Sequence, residues 1–376
     1  MTGVKCGVAD AVDVAVIGGG VVGCAVAAVL AARGRQVLLL EAQPRLGTEV
    51  SSRNSGVIHS GLYYRPGSLK AESCVRGNRL LQEWAAAHGV WHARTGKLVV
   101  AQSAPQEAAL EALHDNARRS GAPGLELITG AAASRLEPTV TVTAALLCRE
   151  MGIIDAHELV ESLATAARRD GAEIVTGTRV TGLERDGAGF RLESSRGDLR
   201  AERLVNAAGL SADLVARLIG VDRFTLYPCR GDYFRLRTTA RYGRLIYPVK
   251  DPASPGLGIH LTLERGGGYR LGPDTEYVSR RDDYGDREDK RDQFLAAAQR
   301  LLGPLRPEQL SYDGCGIRPK LRAPSAPAEL DFVVEEDPPG CVQMIGIESP
   351  GLTASLDLAE RVAALLGAGS GMVRPA

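Results

Sequence analysis

Val12-Asp13-Val14-Ala15-Val16-Ile17-Gly18-Gly19-Gly20-Val21-Val22-Gly23 carries a G-x-G-x-x-G pattern directly behind an apolar run. Gly18 permits a tight turn, Gly20 lets the backbone approach a pyrophosphate, and Gly23 lets a helix pack on the strand. The spacing predicts a strand over 12–17 and a helix from about Val21 to Arg33, stopped by Gly34. The N-terminus of such a helix offers free N–H groups and a partial positive charge to phosphates. Taken alone the pattern is weak, and a glycine-rich packing turn is the bland alternative. Here a second strand, 36–40, follows and ends at Glu41, about 20 residues on, where a carboxylate can hold ribose hydroxyls. A carboxylate at that point disfavours a 2′-phosphate, so NADP is not expected.

The chain has 376 residues, enough for two domains. Lys+Arg and Asp+Glu stand at 45 each, which argues against a nucleic-acid surface or a polybasic membrane anchor. Only six of the basic residues are lysines (5, 70, 97, 250, 290 and 320). The seven cysteines (6, 24, 74, 148, 229, 315 and 341) are odd in number and contain no C-x-x-C pair. That suits a reducing cytoplasm and argues against disulfides and against a metal site. Val14 to Ala32 runs nineteen residues without a charge, but three successive glycines interrupt it. A buried strand and a buried helix explain the run better than a membrane span. The expected location is cytoplasmic, with peripheral contact on the inner membrane face left open.

Further along, 105–120 reads as a surface helix, and Asp155 with Glu158 reads as a capping box opening a helix towards Asp170. Then come a strand at 173–176, a hairpin made of 190–193 and 199–203, and a short strand at 204–208. From 233 to 271 the pattern changes to successive strands, 233–236, 245–249, 257–263 and 269–271, expected as an antiparallel sheet. The end returns to a strand at 342–347, a turn at Ser349-Pro350-Gly351 and a helix from about Thr353 to Leu366. The expected layout is α/β and discontinuous. A nucleotide domain comprises 1–84, 144–220 and 313–376, and a substrate domain comprises 85–143 and 221–312.

Between glycine turn and first change of domain lies Ser51-Ser52-Arg53-Asn54-Ser55-Gly56-Val57-Ile58-His59-Ser60-Gly61-Leu62-Tyr63-Tyr64. Its small hydroxyl and amide residues suit a loop lying along a cofactor. A plain surface loop explains the apolar Val57-Ile58 and the paired tyrosines poorly. This stretch, continued through Lys70, resembles the D-amino-acid-oxidase-type flavoproteins, and within them the L-2-hydroxyglutarate dehydrogenases/oxidases. The resemblance runs on through Gly96-Lys97-Leu98, Gly152 to Asp155, Asn206 to Gly209, Tyr247 to Val249, Pro255 to Thr262, Gly314 to Leu321 and Gly346 to Thr353. It implies an FAD-binding Rossmann-like domain with an inserted mixed or antiparallel substrate domain. It also implies FAD contacts at Gly18, Gly20, Gly23, Glu41, Ser52, Arg53, Asn54, Ser55, Gly209, Gly351, Leu352 and Thr353. Cys229-Arg230-Gly231-Asp232 departs from the family, which often has a Lys-Gly-Asn-like run there.

The implied reaction takes a 2-hydroxy acid, L-2-hydroxyglutarate or a close relative, to the 2-oxo acid, with electrons passing to a quinone or to oxygen. A base takes the hydroxyl proton while the Cα hydride goes to flavin N5. His59 is the first candidate base, against a structural role or covalent flavin attachment at the same residue. His260 is the rival, because alternation in 258–263 sets His260 and Thr262 opposite three aliphatics. Arg318 and Lys320, placed after a strand where the domains meet, are candidates for a dicarboxylate, with Tyr64 and Tyr247 as hydroxyl donors and Thr262 beside them. Backbone N–H groups at 351–353 could stabilise the N1–C2=O region of reduced flavin. Two alternatives stand: an amine or amino-acid oxidase of the same fold, and an FAD-binding assembly or electron-transfer partner without turnover.

Overall fold

The computed structural model describes residues 11–250, 257–326 and 330–367. Cys6 and the first two residues of the 255–262 block lie outside them. The strand Val12–Ile17 stands in the middle of an eight-stranded sheet, parallel to Val37–Leu40 on one side and to Leu199–Asn206 on the other. Glu173–Val175 and Cys341–Ile345 extend the parallel part at its two ends. Val14 and Val16 point into a core shared with the helices Val21–Ala32, Ala156–Arg169 and Gly351–Leu365. Ala15 and Ile17 point the other way, under the hairpin Val180–Asp186/Gly189–Ser194 and the helix Ala212–Leu218. Burial on both faces explains why the strand is apolar at nearly every position.

A nine-stranded sheet forms the second layer. It contains Lys97–Ala101, Leu125–Thr129, Ala144–Cys148, Tyr227–Leu236, Leu245–Pro248, Leu261–Leu263, Tyr269–Leu271, Glu276–Tyr277 and Leu310–Lys320. It is mixed rather than antiparallel, because Leu245–Pro248 runs parallel to Lys97–Ala101. A small sheet of Val57–Ile58, Gly152–Ile154 and His92–Ala93 anchors the 51–64 loop.

Several elements differ from the expectation, each for a local reason. The expected hairpin arm 199–203 and strand 204–208 are one strand, Leu199–Asn206, which changes partner from Gly189–Ser194 to Cys341–Ile345 where its composition turns apolar. The expected strand 257–263 is regular only over Leu261–Leu263, since Gly258, at φ +80°, bends the chain. Tyr227–Leu236 starts six residues early because its charges are buried and paired: Arg230 and Asp232 are both fully buried and bonded to each other at 2.7 Å. Asp155 caps its helix by accepting from the N–H groups of His157 and Glu158, but Glu158 turns away to accept from Trp91 N–H, so the reciprocal half of the capping box is missing. Arg318 and Lys320 lie within the long strand Leu310–Lys320, not after it. That strand and Ala144–Cys148 both belong to the nine-stranded sheet, so the sheet changes after Cys148 and Lys320 rather than at 144 and 313. We propose that the domain division follows the sheets.

Candidate active site

The two sheets meet at a cavity of about 2030 Å³, its open mouth included. One end is the glycine turn. A Cβ on Gly18, whose φ is +112°, would meet Ala207 O at 2.4 Å, and one on Gly23 would meet Gly18 O at 1.9 Å, so both are glycine for close packing behind the cavity. Gly20 lines the cavity and caps the helix Val21–Ala32 without a side chain, and no acidic residue occupies the first turn. Ser51 Oγ accepts from Val21 N–H at 2.9 Å and fastens the 51–55 loop across the helix start. Glu41 sits behind the turn, outside the cavity lining, with Oε2 accepting from Gly19 N–H and Oε1 from Gln43 N–H, both at 2.6 Å. Burial raises its carboxyl pKa, against those two bonds.

From the turn the cavity passes Arg53, Asn54, Ser55 and Gly209 to Gly351 and Leu352. Asn54 spends its side chain within the loop, donating to Val50 O and Ser51 O and accepting from Gly56 N–H. Ser55 meets Tyr233 OH at 3.1 Å. Ser52 is exposed and bonds to Glu49 O, away from the cavity. Thr353 is fully buried and does not reach the cavity. Its Oγ1 accepts from His59 N–H at 3.0 Å and donates to Val57 O, clamping the His59 loop to the last helix. That helix begins at Gly351, so Gly351 and Leu352 form its first turn and line the cavity, with the Gly351 N–H donating to Glu348 O at 2.5 Å. A long cleft with an acid-free helix N-terminus at one end, where only the Val21 N–H is taken up by Ser51, and a second helix start at the other fits an extended FAD with its phosphates towards Gly20 and its ring system towards Gly351.

His59 and His260 both line the cavity. His59 is held by Thr353 and by Asn78, whose amide donates to His59 O at 2.7 Å; its Nε2 lies 3.4 Å from Ser349 Oγ. His260 stacks on Tyr247 with ring centroids 3.6 Å apart, and its Nδ1 meets Gly258 O at 2.8 Å. A carbonyl can only accept, so Nδ1 carries the hydrogen and Nε2 keeps its lone pair. Desolvation, with Lys97 as a further cause, holds both imidazoles neutral, their pKa values pushed down to about 3. Tyr64 and Tyr247 reach the cavity wall, whereas Thr262, 1% exposed, does not.

At the far wall Arg318 Nη2 donates to Asp274 O at 2.5 Å and Nη1 to Thr275 Oγ1 at 3.3 Å, and no carboxylate among the described residues pairs with it. Lys320 and Lys70 both donate to Glu348 Oε1, at 3.2 and 3.1 Å, and all three line the cavity. Burial raises the Glu348 pKa, but Lys70, Lys320 and Arg318 outweigh it and hold the carboxyl below its ordinary value. The sequence reading gave no role to Lys70, Glu348, Tyr63 or Lys97. The signal was the scarcity of lysine in an arginine-rich chain: Lys70, Lys97, Lys290 and Lys320, four of the six lysines, are buried. Six cysteines are buried and free, and the described residues contain no cluster able to hold a metal and no helix long and apolar enough to cross a membrane.

Comparison with known proteins agrees with this geometry. The chain is 35% identical to the mitochondrial L-2-hydroxyglutarate dehydrogenase of Arabidopsis thaliana, covering 94% of this chain and 83% of that one. It is 29% identical to an L-2-hydroxyglutarate dehydrogenase of Indibacter alkaliphilus, covering 92% and 96%. The structure of a dithionite-reduced L-alpha-glycerophosphate oxidase from Mycoplasma pneumoniae with FAD bound superimposes with a TM-score of 0.88 at 25% identity, covering 95% of each chain. The family profile for FAD-dependent oxidoreductases of the DAO type matches residues 13–365. With that match spanning both sheets and the cavity between them, the chain belongs to the DAO family of FAD-dependent oxidoreductases.

Proposed function

We propose that this enzyme oxidises L-2-hydroxyglutarate, or a 2-hydroxy acid of the same dicarboxylate class, to the 2-oxo acid. The observation that carries the reading is that two neutral histidines and the cations Arg318, Lys320 and Lys70 line one cavity that runs to the glycine turn. Arg318, anchored on one side and without a carboxylate partner among the described residues, has donors left to fork a substrate carboxylate. Lys70 and Lys320 both donate to Glu348 Oε1 and line the cavity, where their ammonium groups can draw the second carboxylate. FAD, when bound, supplies the two-electron acceptor, its N5 taking the hydride from the substrate Cα. His59, anchored to the turn that opens the last helix, accepts the hydroxyl proton as the C=O bond forms; His260, whose Nε2 lone pair could take that one proton instead, is the rival base. The start of the last helix, at Gly351 and Leu352, sets its partial positive charge at the flavin end, although the Gly351 N–H itself donates to Glu348 O. Reoxidation by a quinone or by oxygen completes the reading, and a quinone acceptor would bring a peripheral contact with the inner membrane face.

The test is anaerobic addition of L-2-hydroxyglutarate, its D-enantiomer, glycine and L-proline to the purified flavoprotein. Bleaching of the flavin band by L-2-hydroxyglutarate alone is expected. Bleaching by an amino acid and not by any hydroxy acid would overturn the substrate class in favour of amine oxidation, and no bleaching at all would favour a binding role.

A further inference from the structure

Lys97 is completely buried, and its Nζ has no hydrogen-bond partner among the described residues. The strand Lys97–Ala101 runs beside Leu245–Pro248, pairing Lys97 with Leu245 and Val99 with Tyr247. That register brings the ammonium 3.4 Å from the centre of the Tyr247 ring and 4.6 Å from that of Tyr63. His260 stacks on Tyr247 at 3.6 Å with an interplanar angle of 21°. An ammonium and an imidazole cannot share one ring face at those distances, so they occupy opposite faces. Lys97, Tyr247 and His260 therefore form a column that ends at the cavity, with the lysine at the closed end.

We propose that Lys97 is a positioning residue of the oxidation site: its charge holds the Tyr247 ring against His260 and, across that ring, adds to burial in keeping the His260 imidazole unprotonated until substrate arrives. The physical case is that no carboxylate among the described residues pairs with it. The groups facing Lys97 are Tyr63 from the loop, Tyr247 from the adjacent strand, Cys74 from the helix Leu69–Ala87, Cys148 from the paired strand, and the His59 imidazole. None is a carboxylate, and burial keeps the thiols and phenols protonated. Two aromatic faces attract a desolvated cation, but by less than removing the ion from water costs. Desolvation accordingly brings the ammonium pKa down to about 7. His260 faces Tyr247, Lys97, His59 and Arg318, again without an anion, so a proton on it is repelled from three sides. A bound dicarboxylate adds negative charge beside the same histidines and opposes the lysine, which restores basicity only in the loaded site. This inference rests on the reading that a cavity histidine is the base.

The test uses the FAD-loaded enzyme as wild type, Lys97→Met and Lys97→Arg, and reads the pH dependence of kcat/KM together with the NMR titration of the His260 imidazole. The imidazole titration does not depend on which substrate is turned over, so it separates failure of this inference from failure of the substrate reading. Lys97→Met should move the acid limb of kcat/KM and the His260 titration up by one pH unit or more, a roughly tenfold loss of kcat/KM below the limb. Lys97→Arg, which keeps a cation able to stack on Tyr247, should restore both. A folded, flavin-loaded Lys97→Met enzyme with both titrations unchanged overturns the proposal. If that variant does not fold, the wild type decides, because six lysines give a resolvable NMR spectrum. One lysine ε-CH2 should be shifted upfield by the tyrosine rings and titrate near neutrality; six ordinary lysine signals titrating together above pH 10 overturn the proposal as well.

Discussion

Gly19 donates its peptide N–H to Oε2 of Glu41 across 2.6 Å, which makes the glycine turn and the end of the second strand one unit. A Cβ on Gly19 would lie 2.9 Å from that of Glu41, so the turn's middle glycine is there for the carboxylate as much as for the phosphates. The other oxygen accepts from Gln43 N–H. Glu41→Gln forces an NH2 group against one of two N–H donors and strips a charge from both bonds. Loss of charge-assisted bonds costs about 1.5–3 kcal/mol, so the FAD dissociation constant should rise roughly 10- to 100-fold. Flavin fluorescence titration of the apoprotein checks this, and unchanged affinity would remove Glu41 from cofactor binding.

Glu348 is a shared carboxylate partner of two buried lysines, Lys70 and Lys320. Glu348→Gln leaves both ammoniums buried with reduced compensation, which costs about 3 kcal/mol or more and should lower Tm by several degrees. The pH sign follows from its depressed pKa: the carboxylate's contribution is fully present above its ordinary value of 4.5 and is lost as pH falls through the lower folded value. Wild-type stability should therefore fall more steeply than the variant's below about pH 4.5. Parallel acid limbs in thermal scans would show that the pair contributes nothing.

His59→Gln should lower kcat by about 100-fold or more while KM moves little, as loss of a general base requires. The flavin should remain bound, because His59 is anchored through its peptide N–H and C=O rather than its ring. His260→Gln should have a smaller effect on kcat. Steady-state kinetics of both variants decide, and a larger kcat loss at His260 would exchange the two roles.

Much of the nucleotide half was legible because its signals are local. The glycine spacing, the apolar strand and Glu41 lie within thirty positions, so the motif reads locally even though its burial draws on 156–169, 199–206 and 351–365. The loop from Ser51 was legible as cofactor-facing, yet which of its side chains turn inwards was not. Ser52 faces out and Thr353 serves as a clamp, because those orientations depend on partners such as Glu49 and His59 that periodicity does not reveal. The substrate half was harder for the same reason. Tyr227–Leu236 carries charges that suggest a loop, and partners distant in sequence, among them Lys290, Asp283, Gly285 and Tyr312, turn Arg230 and Asp232 into core residues. Lys70 and Glu348 are 278 residues apart and meet only in the folded chain.

The departure at Cys229-Arg230-Gly231-Asp232 gives the last prediction. Gly231 lines the cavity, and a Cβ there would lie 2.2 Å from Arg318 Nη2 and 2.7 Å from Pro273 Cβ. The backbone cannot retreat to make room. Arg230 and Asp232 on either side are fixed by a fully buried ion pair, and Lys290 bonds Asp232 at 2.7 Å. Something must therefore move, and the guanidinium, held on one side by Asp274 O and Thr275 Oγ1, is the group with cavity space in front of it. Gly231→Ala should raise KM for a dicarboxylate about tenfold or more with kcat within a few-fold, the pattern for lost uniform binding of ground and transition states. FAD content should be unchanged, since the glycine turn lies at the opposite end of the cavity. An unchanged KM in a folded, flavin-replete Gly231→Ala enzyme would mean that Arg318 does not hold a substrate carboxylate.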